Sequence, residues 1–233
     1  MDEYRLTFYE AYKMKIWFSR MLFLLMLCVM LGGLRHDIFT LRTQSPLFYQ
    51  MLKQTMQIIQ PGDLIFTRGQ GFFSHYFAKM SVHDQRFSHV GFIVEDSFHS
   101  MGVRHALADE ITAQGSVQTS TLYQFLADSQ EWAIYRLRFS PSQRQNMINF
   151  SLLLEKKQTP FDYHFDLTDQ GKAVYCTELV WYSVKQATGI DLIANKYHSS
   201  TAKKRIVTLD DLSQNPLVFL VNDFRVSALS VLH

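Results

Sequence analysis

Eight residues near the middle of the chain, Ser88 to Glu95, read SHVGFIVE. In an extended strand Val90, Phe92 and Val94 share one face, and His89, Gly91 and Ile93 share the other. Further short strand-like runs surround this one: DLIFT (Asp63–Thr67) after the turn at Pro61-Gly62, VRHALA (Val103–Ala108), GSVQT (Gly115–Thr119), WAIYRLRF (Trp132–Phe139) and PLVFLV (Pro216–Val221). Helix signals stand between and around them. Ser45-Pro46 and Ser140-Pro141 each place a capping hydroxyl before a proline at the first helical position. The first opens a loosely amphipathic helix (Leu47, Met51, Met56) that stops at Gln60. The second opens one whose apolar stripe is Met147, Phe150, Leu153 and Leu154. Gly69, Gly71 and FFSHYF predict a loop and a short helix, Thr121 a cap for a helix through Leu126, and Thr208 another short helix. Leu179, Val180, Val184 and Ala187 form a stripe after Cys176, ended by Gly189. The pattern predicts an α+β fold, with a central antiparallel sheet and packed helices.

A chain of 233 residues suits one domain plus an appendage. A net charge of +2, with no basic stripe, argues against a nucleic-acid partner. The nine histidines show neither tight ligand spacing nor HExxH, so neither a metal nor another cofactor is expected. Two cysteines, Cys28 and Cys176, do not make a disulfide framework.

Cys28 lies in the one sharp break in composition, the uncharged stretch MLFLLMLCVMLGGL from Met21 to Leu34. Extended through Ile16, Trp17 and Phe18 it approaches membrane-spanning length, although Arg20 interrupts it. Lys13, Lys15 and Arg20 precede the apolar core and fewer basic residues follow, which sets the N-terminus in the cytoplasm. A cleavage site of small residues is lacking at Met30-Leu31-Gly32, and Leu27 stands where a lipoprotein signal wants a small residue. An uncleaved signal anchor is the expectation, and a buried core helix is the alternative. The expected organisation is a cytoplasmic segment 1–15, an anchor 16–36, a linker and helix 37–59, and a domain 60–233 outside the cytoplasm, at a bacterial inner membrane.

The chemistry centres on KAVYCTELVW, Lys172 to Trp181, where an extended approach turns into a helix at Cys176. A thiol at a helix N-terminus meets unpaired N–H groups and the positive end of the macrodipole, and both favour thiolate. The same N–H groups can receive an oxyanion. A free cysteine is, against this, among the most commonly buried and inert residues. A nearby imidazole would activate it, and His89 and His105 both fall on strands. If those strands are neighbours, His105 can hold His89 in its reactive tautomer. Glu95 and Glu110 are alternative orienting groups. His75, His83, His99, His164 and His198 lie in polar or loop settings, and Glu178 reads as a first-turn carboxylate suited to the helix dipole.

These segments in this order resemble the circularly permuted, NlpC-type papain-like cysteine hydrolases (the YiiX/YebB-like group, related to the lecithin:retinol acyltransferase group). The resemblance rests on QPGDLIFTRG, FSHVGFIVED, HALADEITAQGSVQTSTLYQFL, TPFDYHFDLTDQGKAVYCTELVWYSV and TLDDLSQNPLVFLV, from about Gln60 to Val221. It implies a permuted papain-like fold with Cys176 as nucleophile and His89 as general base. The family's third polar group falls in VRHAL, which puts His105 where many relatives carry a carboxylate. The implied reaction is hydrolysis of an amide, in a cell-wall (peptidoglycan) peptide, through an acyl-enzyme on Cys176. Two alternatives stay open: a lipid acyl hydrolase or acyltransferase on the same fold, and a non-catalytic binding module.

Overall fold

A computed structural model describes residues 46–69, 72–109, 114–127, 131–194 and 206–225, together with Met21, Thr112 and Ser129. Its contacts divide the chain into two compact units, Met1–Phe48 and Tyr49–His233. The expected segments 1–15 and 16–36, Met21 excepted, lie outside the described residues, as does the start of the linker. Among the described residues no helix is long and apolar enough to cross a membrane.

The second unit is built on one six-stranded antiparallel sheet. Its strands are β1 (Leu64–Thr67), β2 (His89–Glu95), β3 (Met101–Leu107), β4 (Ser116–Thr121), β5 (Glu131–Leu137) and β6 (Val218–Arg225). They lie in the order β4-β3-β2-β1-β5-β6. The described helices are α1 (Pro46–Ile58), α2 (Phe72–Met80), α3 (Leu122–Ala127), α4 (Pro141–Lys156), α5 (Cys176–Thr188) and α6 (Leu209–Ser213). Mixed α and β elements around an antiparallel sheet are the architecture that the alternation and the capping signals predict.

Both faces of the sheet are covered, and the period of two sorts the residues between them. Leu64, Phe66, Val90, Phe92 and Val94 share a core with Met147 and Leu154 of α4 and Leu179, Val180 and Val184 of α5. On the other face Ile65, Ile93, Val103, Trp132 and Ile134 are fully buried. There the Trp132 indole N–H donates to Thr55 Oγ1 of α1 at 2.9 Å. Thr55 is accordingly buried while Met56 is 58 % exposed. The buried face of α1 therefore includes Met51 and Thr55, four residues apart, and the threonine hydroxyl is satisfied by the Met51 carbonyl at 2.9 Å. In α4 the buried residues are Met147, Ile148, Ser151 and Leu154, and Leu153 is half exposed.

Local signals set the ends of these elements. Ser140 Oγ accepts from the Gln143 amide and Gln143 Oε1 accepts from the Ser140 amide, a reciprocal cap for α4. Thr121 and Gln124 form the same pair at α3, and Thr208 and Asp211 at α6. Gly189 closes α5 in the left-handed region at φ 74°. A long-range contact fixes the turn into β1. Asp63, fully buried, takes two hydrogen bonds from Arg136 of β5, at 2.7 and 2.8 Å, and one from the Gln60 amide at 2.8 Å.

Candidate active site

Cys176 is the first residue of α5, and two contacts to one later segment hold that helix start. The Val207 amide donates to the Tyr175 phenol oxygen at 2.7 Å, and Thr177 Oγ1 donates to the Val207 carbonyl at 2.8 Å. Tyr175 is fully buried, stacked on Phe77 of α2 and edge-on to Phe165. The thiol between these anchors is 2 % exposed. Burial pushes it up to about 11, against the opposing pull of the Val90, Thr177 and Cys176 backbone groups. The thiolate expected at a helix N-terminus is thus not the resting form, because the loss of hydration outweighs the helix end.

Glu178 departs from its expected role for the same reason. It is 1 % exposed, and burial, reinforced by the negative charge of Asp162, raises its carboxyl to about 9. At neutral pH it is a protonated acid rather than a charge serving the dipole, and Glu178 Oε2 accepts weakly from the Tyr175 amide at 3.4 Å.

His89 opens β2, and its imidazole belongs to a hydrogen-bonded row. His89 Nε2 lies 2.9 Å from His105 Nδ1, and His105 Nε2 lies 2.9 Å from Ser120 Oγ. The Phe125 ring of α3 packs against both imidazoles, with centroids at 5.5 and 5.0 Å. Gly91 makes room for this packing. A Cβ there would sit 2.5 Å from a Val103 methyl, 2.9 Å from the Arg104 carbonyl oxygen and 3.1 Å from His105 Cβ. Its missing side chain thus serves the neighbouring strand. Burial lowers His89 to about 4. His105 is lowered well below its ordinary value, by burial first and by His89 second. Both rings are therefore neutral at pH 7.

A cavity of about 130 Å³ opens where β2 begins and β3 ends, and both Cys176 and His89 line it. Phe77, Ala106, Leu107 and Phe161 make most of its wall apolar, with Ser74 and Ser88 as the polar exception. Ser88 Oγ accepts from the Gly69 amide at 3.0 Å and pairs with Ser74 Oγ at 2.6 Å. Among the described residues no hydrogen bond joins Cys176 to His89, and His89 Nδ1 makes none. Of the groups considered for the place behind His89, His105 is in contact with it. Glu95 is instead exposed at the far end of β2 and paired with His99 at 2.6 Å, and Glu110 lies outside the described residues. His75, His83, His99 and His164 are exposed, and His198 lies outside the described residues. Ser120 and the Val207 anchor are new to the site. The alternation of β4 could have placed Ser120 on the face of His105, whereas Val207 carries no local signal.

The raised thiol has a measurable consequence. Alkylation of the folded protein by iodoacetamide is expected to climb about tenfold per pH unit between about pH 7 and about pH 10, as thiolate forms toward a midpoint near 11. A rate that is flat across neutral pH would mean a preformed thiolate and would contradict the burial argument.

A histidine strand that precedes a cysteine helix on an antiparallel sheet, with the two meeting at one strand end, is the arrangement of a permuted papain-like fold. Residues 58–214 match the family model of the permuted papain-like amidase enzymes (YaeF/YiiX, C92 family), and the chain belongs to that family. Amide hydrolysis is accordingly the chemistry of its class. A solved structure, that of the metalloprotein yiiX from Escherichia coli O157:H7, is similar at a TM-score of 0.55 and 19% identity, covering 71% of this chain and 98% of that one. At that identity the likeness concerns the fold. No curated protein matches the chain.

Proposed function

We propose that the protein is a cysteine hydrolase that cleaves an amide of the cell envelope, foremost in peptidoglycan peptides, through an acyl-enzyme on Cys176. The observation that carries the proposal is the shared cavity: a thiol at a helix start, and an imidazole whose Nε2 is held by a second imidazole. As the Cys176 sulfur bonds to the substrate carbonyl carbon, its proton passes to His89 Nδ1. Backbone N–H groups at the start of α5 receive the oxyanion. The imidazolium gives the proton to the departing amine, leaving a thioester. Water then attacks the thioester, His89 takes its proton, and Cys176 is restored as the acid leaves. Because both groups rest neutral, the proton moves during attack. A segment 16–36 acting as an anchor would hold the domain on the extracytoplasmic side, close to this substrate.

The yiiX relative is described as a metalloprotein, which raises the question of a metal among this chain's residues. Among the described residues no group of three or more His, Cys, Asp or Glu is placed to hold a metal ion. His89 and His105 turn their facing nitrogens on each other. The described residues at this site do not fit a resident metal.

A second reading, a lipid acyl hydrolase on the same residues, draws support from the apolar cavity wall and from Tyr76 and Leu107, which stay 49 % and 44 % exposed. The test incubates the full-length protein with purified peptidoglycan and, separately, with envelope phospholipid, and identifies products by mass spectrometry. Peptide release from peptidoglycan by the wild type, absent with Cys176→Ala, is the expected result. Fatty-acid release with muropeptides intact would replace it with the lipid reading. No product from either would favour the non-catalytic module. Slow alkylation of Cys176 does not separate these outcomes, because burial alone slows it.

A further inference from the structure

The hydrogen-bonded row behind His89 continues past His105 to a residue with no assigned role. Val103 pairs with Ser120 and His105 with Gln118, so Ser120 lies on the same sheet face as His105. The Ser120 hydroxyl sits 2.9 Å from His105 Nε2. A neutral imidazole has one N–H and one bare nitrogen, so the proton positions along this row are linked. If His105 carries its proton on Nε2, its Nδ1 is bare and accepts from His89 Nε2–H, and His89 Nδ1 is left bare. If His105 carries its proton on Nδ1, it donates to His89 Nε2, and the proton of His89 moves to Nδ1. Only the first arrangement leaves His89 able to take a proton at Nδ1.

We infer that Ser120 is a positioning residue, whose oxygen accepts from His105 Nε2–H and so fixes the tautomers of both histidines. This rests on the proposed role of His89 as base. His105 is 4 % exposed, so its Nε2–H lacks ready access to water. Without the serine oxygen that N–H is a buried, unpaired donor, which is costlier than a bare ring nitrogen in the same place. Ser120 is half-buried, so its own O–H can still donate to water. The Phe125 ring against both imidazoles holds their planes, which leaves the proton positions as the remaining freedom.

The test uses full-length protein labelled with ¹⁵N-histidine and reads the His89 tautomer from imidazole ¹⁵N–¹H correlations at neutral pH. Wild type and Ser120→Thr are expected to show the Nε2–H form. Ser120→Ala is expected to shift about nine-tenths of His89 to Nδ1–H, with product release falling about tenfold on whichever of peptidoglycan or phospholipid the wild type cleaves. An unchanged tautomer in Ser120→Ala, or an equal loss of rate in Ser120→Thr, overturns the inference. The two ideas fail separately. A tautomer shift in a protein whose His89→Ala variant keeps full activity would sink the base role and leave the serine role standing. An unshifted tautomer beside an inactive His89→Ala would do the reverse.

Discussion

Cys176→Ala is expected to lower amide turnover by about a thousandfold or more while the protein still folds. The size follows from chemistry: without the sulfur no thioester forms, and what remains is the contribution of binding and of the helix-start amides. The fold survives because the substitution removes one atom from a site anchored by its neighbours. The Tyr175 and Thr177 contacts to Val207 do not pass through the thiol. A cost of about 1 kcal/mol is the expectation for so small a cavity. Circular dichroism and a melting curve check the fold, and product release checks turnover. Turnover near the wild-type rate in a folded Cys176→Ala variant would remove the cysteine from the mechanism.

The largest effect on stability is expected at Asp63, in the QPGD turn. Its carboxylate is fully buried and held by Arg136 and the Gln60 amide, and the Arg136 side chain is 17 % exposed. Asp63→Ala leaves a largely buried guanidinium without its partner and an amide without its acceptor. A loss of about 3 kcal/mol is expected, at the lower end for a buried pair because Arg136 keeps some solvent. For a domain of this size that lowers the melting temperature by roughly 6–12 °C. Arg136→Met in the Asp63→Ala background is expected to recover part of the loss, since it removes the stranded charge. A drop below about 2 °C for Asp63→Ala would show that the pair contributes little.

What the sequence shows of this molecule, and what it hides, divides along a physical line. Alternation sorts Val90, Phe92 and Val94 from His89, Gly91 and Ile93, because a strand's period of two is a property of the backbone. The caps at Ser140, Thr121 and Thr208 and the left-handed Gly189 are equally local, and each is found where its residues predict. The faces of α1 and α4 are less legible. Thr55 is buried only because Trp132, distant in sequence, supplies a donor, and Leu153 is passed over for Ile148 and Ser151. The ionisation of the site was not legible at all. A helix start argues for thiolate at Cys176 and for a charged Glu178, but both groups are buried in the assembled fold, and burial dominates. The contact of His89 with His105 needed only that β2 and β3 be neighbours. Alternation can give Ser120 its face of β4, but its contact with His105 needed the register of β4 against β3, which no periodicity supplies.

In the proposed mechanism the substrate's acyl group passes covalently through the sulfur of Cys176. The most direct measurement incubates the full-length protein with an activated acyl donor, such as a p-nitrophenyl ester, quenches with acid, and maps the modified peptide by mass spectrometry. An acyl group on the peptide containing Cys176, absent from Cys176→Ala and not accumulating in His89→Ala, is the predicted result. An acyl adduct on another residue, with amide turnover persisting in Cys176→Ala, would contradict it.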